Sequence, residues 1–133
     1  NSLHNLLNHS DIISVNVSGD EDNNNLLSEN EFKQMKKNAI LINTSRGNVI
    51  NIKALKKNLK NNKIAAAGID VINNENLFPN KYPKILKKEL ITLQKQNKLF
   101  ITPHTGGSTI EARIKRLKFV LESFKRELSI ENN

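Results

Sequence analysis

Cysteine is absent from this 133-residue chain, which excludes disulfides, thiolate metal ligands and cysteine nucleophiles. The absence also favours an intracellular protein, and we predict a cytoplasmic location. Residues Asn1 to Asp11 lack the basic and apolar regions of a secretory signal, and no stretch approaches the roughly 20 apolar residues of a membrane span. The sequence therefore predicts a soluble protein without a membrane partner.

Aromatic residues are scarce, at 5% of the chain, and tryptophan is missing. The net charge of +8 attracts nucleic acid in principle, because basic side chains release counterions from the phosphate backbone. Bases, however, stack on aromatic side chains, and the lysines between Lys53 and Lys63 are scattered among asparagines. We therefore predict no nucleic-acid partner.

Apolar runs typical of strands alternate along the chain with stretches of helical periodicity. Strands are predicted at residues 12–17, 40–42, 64–71 and 99–102, and helices at 1–10, 28–37, 52–61, 83–97 and from 108 onward. Right-handed crossovers place such strands in one parallel sheet. The β-branched run Ile40-Leu41-Ile42 is typical of a strand buried on both faces. The predicted fold class is α/β, with a parallel sheet of about four strands and a long C-terminal helix.

Polar residues mark the starts of three predicted helices. Ser28 and Glu31 form a capping-box pattern, Ser108 and Glu111 form a second, and Asn51 is the expected N-cap of the helix after it.

The last helix carries a narrow apolar stripe in which steps of four and three residues alternate. Its members are Ile110, Ile114, Leu117, Leu121, Phe124 and Leu128. Such a stripe packs onto its own domain or against a second copy of the chain, and the sequence leaves both open. In the helix 52–61, Leu55 and Leu59 stand one turn apart and are predicted to be buried.

Side chains suited to acid–base chemistry or to anion binding follow the predicted strands at their carboxyl ends. Arg46 follows the run at Ile40, Asp70 ends the next strand and precedes Glu75, and His104 follows the last strand. Ligands of open parallel sheets bind beyond these strand ends. Taken singly, each residue is unremarkable, because an arginine after a strand is more often a solvated loop residue.

Together these residues suit one kind of reaction. The guanidinium of Arg46 matches a carboxylate bidentately, and His104 can transfer a proton near neutral pH. A nearby Glu75 would raise the pKa of the imidazole and fix its tautomer. The set suits reduction of a carbonyl beside a carboxylate, or the reverse oxidation, and the hydride must come from a cofactor.

Three ordered motifs resemble those of the D-isomer-specific 2-hydroxyacid dehydrogenases. The first runs from Met35 to Asn51 and contains Asn43-Thr44-Ser45-Arg46-Gly47, and the second is Gly68-Ile69-Asp70-Val71 followed by Glu75. The third is Thr102-Pro103-His104-Thr105-Gly106-Gly107-Ser108-Thr109. The Gly106-Gly107-Ser108-Thr109 ending, with Glu111-Ala112 after it, most resembles the D-3-phosphoglycerate dehydrogenase branch. This resemblance implies a role in serine biosynthesis.

The resemblance implies a partial doubly wound, Rossmann-like sheet that binds NAD and acts on a small 2-hydroxy or 2-keto acid. It implies that Arg46 binds the substrate, His104 is the acid/base and Glu75 is its carboxylate partner. The residues lining the nicotinamide side of NAD would be Thr44, Ser45, Arg46, Asp70, His104, Thr105, Gly106 and Gly107. No metal ligand is implied, and the family's long helix suggests a homodimer.

The chain also departs from the family pattern. Asn16 and Ser18 replace the His-x-Pro turn, Asn76 replaces the proline after the glutamate, and no Gly-x-Gly-x-x-Gly phosphate turn precedes Asp11. We therefore expect a fragment. Residues 1–107 would be the C-terminal half of the NAD-binding domain, and 108–133 a helix leading toward a substrate domain and a possible dimer contact. Alone, the chain is expected to be inactive and to bind NAD weakly or not at all. The alternative is a catalytically inactive module that keeps the fold for binding or dimerisation.

Overall fold

The structure, a computed structural model, describes residues 2–73 and 84–130, without the side chains of 84–87 and 128–130. The chain divides into two compact units, Asn1–Pro103 and His104–Asn133. The first unit contains helices α1 (Leu3–His9), α2 (Glu29–Gln34), α3 (Ile52–Lys60) and α4 (Lys84–Lys95) and strands β1 (Ile12–Val15), β2 (Ile40–Asn43), β3 (Ala66–Ile69) and β4 (Leu99–Ile101). The second unit contains helix α5 (Ile110–Ile130).

The four strands form one sheet in the order β1-β2-β3-β4, and every neighbouring pair is parallel. This confirms the predicted α/β class and the single parallel sheet. The register places Ile42 of β2 opposite Ser14 of β1 and Gly68 of β3. Each crossover steps to the next strand in the same direction, so right-handed connections place α2, α3 and α4 on the same face of the sheet.

The two faces of the sheet consequently differ in burial. In β2, Leu41 is fully buried, whereas Ile40 and Ile42 are 39% and 36% exposed. Ile12 of β1 and Phe100 of β4 lie on the same exposed side. We call this side, which carries Ile12, Ile40, Ile42 and Phe100, the open face. The prediction that β2 is buried on both faces is therefore wrong within this chain, because the crossover helices cover one face only.

The helix-covered face contains the hydrophobic core. Leu55 and Leu59 of α3 are fully buried, as the one-turn spacing predicted. Phe32 of α2 is also fully buried, and α4 contributes Leu90 and Leu93. Core residues from all three crossover helices thus pack against the inward side chains of the strands.

Two of the three predicted helix caps are confirmed. The Asn51 side chain accepts hydrogen bonds from the backbone N–H groups of Lys53 and Ala54, and the capping box at Ser28 is present. The prediction that Ser108 caps α5 is wrong, because the Thr109 hydroxyl accepts from the N–H of Ala112 at 3.1 Å. Ser108 instead closes the preceding turn.

Helix α5 has its apolar residues exposed within the second unit. Ile110, Leu117 and Phe124 are 73%, 64% and 63% exposed, and the Leu128 side chain lies outside the described residues. In the part of the chain that the structure describes, we found no helix with the length and apolar content needed to cross a membrane.

Candidate functional site

The turn after β2 is shaped by the side chain of Asn43, which is buried at the strand end. Its Oδ1 accepts from the N–H and the hydroxyl of Ser45 at 3.0 and 2.9 Å, and its Nδ2 donates to the carbonyl of Arg46 at 3.0 Å. These three bonds satisfy the buried amide and fix the backbone that carries Arg46. Sequence reasoning missed this role of Asn43, although asparagine is the residue type that bonds to backbone two residues on.

Gly47 allows this turn to lie against the segment that follows β3. A Cβ at position 47 would lie 2.1 Å from the carbonyl carbon of Ile72 and 2.2 Å from the nitrogen of Asn73. No side chain fits at such distances, so the position requires glycine for space. The turn bearing Arg46 and the residues just after Asp70 are therefore neighbours in the first unit.

Asp70 links the ends of three strands. Its N–H donates to the carbonyl of Asn43 at 2.9 Å, and its carboxylate accepts a hydrogen bond from the hydroxyl of Thr102. The N–H of Thr102 donates in turn to the carbonyl of Ile69 at 3.1 Å. Asp70 is buried at this edge, so its carboxylate is held in one place.

A polar cavity of about 560 Å³ lies beside Arg46 at the edge where the strands end. It is lined by Asn16, Val17, Ser18, Gly19, Asp20, Ser45, Arg46 and Asn48. One N–H of the Arg46 guanidinium donates to the carbonyl of Ser45 at 2.8 Å, and the Asn48 amide donates to the carbonyl of Gly19 at 2.9 Å. No sequence pattern indicates the contact between Gly19 and Asn48, because it joins residues 29 positions apart.

His104 opens the second unit and has a left-handed backbone, with φ of 53°. This conformation is uncommon for a residue with a Cβ and is found more often at functional sites. The turn after it is closed by the N–H of Ser108, which donates to the carbonyl of Thr105 at 2.9 Å. Arg116 of α5 donates to the carbonyl of Gly107 at 3.1 Å, which ties the turn to the helix.

The predicted site residues are thus distributed over both units. Thr44, Ser45, Arg46 and Asp70 lie in the first unit, at the edge where the strands end. His104, Thr105, Gly106 and Gly107 lie in the second unit, and Glu75 lies outside the described residues. The assignment of these residues to one catalytic site stays a prediction.

Two carboxyl groups with lowered pKa values lie in contacts between helices of the first unit. A hydrogen bond from Lys57 of α3 lowers the pKa of Glu29 at the start of α2, and one from Lys56 lowers the pKa of Glu89 in α4. Both are exposed ion pairs that join neighbouring helices.

The sequence and the fold of the chain are similar to those of several reductases and dehydrogenases. The chain is 36% identical over 122 residues to glyoxylate reductase of Aeropyrum pernix, covering 92% of the chain and 33% of that protein. It is 38% identical over 112 residues to D-3-phosphoglycerate dehydrogenase of Haemophilus influenzae, covering 84% and 26%. The structure of D-lactate dehydrogenase with NAD+ from Lactobacillus jensenii matches with a TM-score of 0.78 at 28% identity, covering 92% and 38%.

The chain therefore spans about a third of the length of the relatives that it matches. Residues 1–106 match the family described as "D-isomer specific 2-hydroxyacid dehydrogenase, NAD binding domain". That match covers most of the chain, and it confirms the family resemblance, the Rossmann-type fold and the cofactor class inferred from the three motifs. The chain belongs to the NAD-binding domain family of the D-isomer-specific 2-hydroxyacid dehydrogenases.

Proposed function

We propose that the protein containing this chain is an NAD-dependent oxidoreductase acting on the CH–OH group of a D-2-hydroxy acid. The observation that carries the proposal is the placement of Arg46. Its backbone is fixed by Asn43 at the carboxyl edge of a parallel sheet, and its side chain lines a polar cavity there. A carboxylate is the substrate group that a guanidinium at such an edge recognises best.

The residues present fit the nicotinamide end of the cofactor. Asp70 holds a buried carboxylate at the strand ends, which suits the N–H groups of a carboxamide, and Thr44 and Ser45 lie on the neighbouring turn. When bound, NADH supplies the hydride that no side chain can carry. The first unit contributes no Gly-x-Gly-x-x-Gly turn for the pyrophosphate. We expect calorimetric titration of NADH into the 133-residue chain to show weak or no binding, and micromolar affinity would contradict this.

In the proposed reaction each side chain has one task. Arg46 holds the substrate carboxylate and orients the adjacent carbonyl, and His104 donates a proton to the carbonyl oxygen during reduction. Glu75 is the proposed carboxylate partner of His104. In the oxidative direction, His104 accepts the hydroxyl proton.

The test uses the full-length protein, with NADH oxidation followed for a panel of 2-oxo acids. His104→Gln should lower kcat about 100- to 10,000-fold. Arg46→Gln should chiefly raise the KM for the 2-oxo acid and lower kcat/KM. Lys60→Gln, at the exposed end of α3, is the matched surface control. An unchanged kcat for His104→Gln, or an unchanged kcat/KM for Arg46→Gln, would refute the assignment.

We propose D-3-phosphoglycerate as the substrate, on the basis of the Gly106-Gly107-Ser108-Thr109 ending and the similarity to D-3-phosphoglycerate dehydrogenases. Glyoxylate is the competing candidate, because several relatives are glyoxylate reductases. The values of kcat/KM for 3-phosphohydroxypyruvate, glyoxylate and pyruvate distinguish these. A higher value for glyoxylate would overturn the phosphoglycerate proposal and leave the reaction class intact.

A second candidate function is a catalytically inactive module that dimerises through α5. The exposed apolar stripe that includes Ile114, Leu117 and Leu121 favours it. Leu117→Asp in the full-length protein should then convert a dimer into a monomer in sedimentation velocity. If activity is present and requires His104, the inactive module is excluded, and the stripe remains a proposed contact of a cytoplasmic homodimeric enzyme.

A further inference from the structure

Gly19 lies in the loop after β1, directly against the stem of Arg46. A Cβ built at position 19 would fall 2.7 Å from Cγ and 2.9 Å from Cβ of Arg46, and 2.9 Å from Oδ1 of Asn48. Carbon atoms that are not bonded do not approach so closely, because their contact minimum lies near 3.5–4.0 Å. The absence of a side chain at position 19 therefore makes room for Arg46.

The clash could not be relieved at the far end of the arginine. Rotation about χ1 moves Cγ and the guanidinium, but Cβ is attached to the backbone and keeps its place. That backbone is itself held by the bond from Asn43 to the carbonyl of Arg46 at 3.0 Å. A methyl group at position 19 would therefore displace the loop, the arginine side chain or both.

Backbone conformation does not explain the glycine at this position. No glycine among the described residues has a positive φ, so an L-residue at position 19 would meet no conformational strain of that kind. Space beside Arg46 and Asn48 is the remaining requirement. Gly19 is thus linked to the arginine specifically, rather than to the turn in general.

Asn48 holds the loop in this position. Its Nδ2 donates to the carbonyl of Gly19 at 2.9 Å, and its own carbonyl accepts from the N–H of Asn25 at 2.8 Å. The loop after β1 and the turn after β2 are thereby joined at two points. The bond fixes Gly19 at the distance that the arginine stem requires.

From these contacts we infer that Gly19 and Asn48 are positioning residues for Arg46. They set the direction in which its side chain leaves the carboxyl edge, and hence where the guanidinium meets the substrate carboxylate. The inference rests on the role of Arg46 given under Proposed function. Neither residue touches the reacting atoms, so both act on the reaction through the arginine.

The test is a double-mutant cycle in the full-length protein. Gly19→Ala and Asn48→Ala should each lower kcat/KM for the 2-oxo acid about 10- to 100-fold, because small misplacements of a binding group are costly. The KM for NADH should stay within about twofold, since both residues act through Arg46 on the substrate carboxylate. In an Arg46→Ala background, assayed at high enzyme concentration, either change should add less than about a further twofold loss.

Asn24→Ala is the matched control, because Asn24 is an exposed asparagine in the same loop, and it should leave kcat/KM unchanged. Equal losses with and without Arg46, or no loss with Arg46 present, would overturn the inference while leaving the proposed function standing. If Arg46→Ala itself had full activity, both would fail. Should Gly19→Ala not fold, Asn48→Ala decides the question alone.

Discussion

The two faces of the sheet are built from the same strands and differ in what covers them. Leu41 points into the core and is fully buried, whereas its neighbours Ile40 and Ile42 are more than a third exposed on the open face. Both sides of β2 are apolar, so composition does not separate them. The difference follows from topology, because successive crossovers in one direction place their helices on one side.

The residues of the two faces also differ in how much they stabilise the unit. Burial beneath the helices removes apolar surface from water, which stabilises by about 25 cal/mol per Å². An exposed isoleucine gains little of this energy. An apolar surface of this kind on a folded chain is typical of a region that another polypeptide covers.

The largest expected effect comes from truncating neighbouring residues on opposite faces. Leu41→Ala should lower the free energy of unfolding by about 2–5 kcal/mol, since it leaves a cavity in the core. Ile42→Ala, on the open face of the same strand, should cost about 1 kcal/mol, mainly through lost strand propensity. Urea denaturation of the 133-residue chain measures both. Equal losses would mean that the open face is covered in solution.

Two glycines also differ in the space that surrounds them. Gly47→Ala should destabilise by about 1–3 kcal/mol, because its methyl group would overlap the backbone of Ile72. Gly68, in β3 opposite Ile42, has nothing within 4 Å of an added Cβ. Gly68→Ala should therefore stabilise the isolated chain by about 0.5–1 kcal/mol, because alanine loses less backbone entropy. A loss at position 68 would place an unseen neighbour over the open face.

Much of this architecture could be predicted from local sequence. The N-cap at Asn51, the buried pair Leu55 and Leu59 and the parallel order of the strands depend on short patterns and on one handedness rule. The open face could not be predicted, since an apolar strand has the same pattern whether one or both faces are covered. The cap at Thr109 was missed by one residue, because Ser108 and Thr109 carry the same hydroxyl chemistry.

The candidate site likewise contains features that could be predicted from the sequence and features that could not. The positions of Arg46 and Asp70 at strand ends could be inferred from the order of apolar runs and turns. The fit between Gly19 and Arg46 could not, because it depends on the packing of two loops that approach only in the folded chain. Long-range contacts of this kind leave no periodic signal in the sequence.

A smaller effect is expected where a helix of the covered face begins. The Asn51 side chain accepts from two backbone N–H groups at 3.1 and 3.0 Å, so Asn51→Ala should cost about 1 kcal/mol of stability. Asn51→Asp keeps an accepting oxygen and adds a charge suited to a helix N-terminus, and it should retain full stability. Equal destabilisation by both variants in urea denaturation would show that the cap does not stabilise α3.

The smallest expected effect concerns the exposed ion pairs that join the covering helices. The pKa values of Glu29 and Glu89 lie below the usual 4.5, chiefly because Lys57 and Lys56 donate hydrogen bonds to them. A carboxyl group with a lowered folded-state pKa binds protons more readily when unfolded. Its contribution to stability is therefore complete above pH 4.5 and is lost as the pH falls through the folded value.

Glu29→Gln and Glu89→Gln should each remove part of this acid dependence and have little effect near neutral pH, because exposed ion pairs contribute little. Urea midpoints of the 133-residue chain, measured near neutrality and again below pH 4.5, test this. Asp22→Asn, in the exposed loop after β1, is the control for the removal of one carboxylate charge. If the two glutamate variants were as acid-sensitive as the parent chain, these ion pairs would not contribute to the acid dependence, and the covering helices would be held by their apolar contacts and caps.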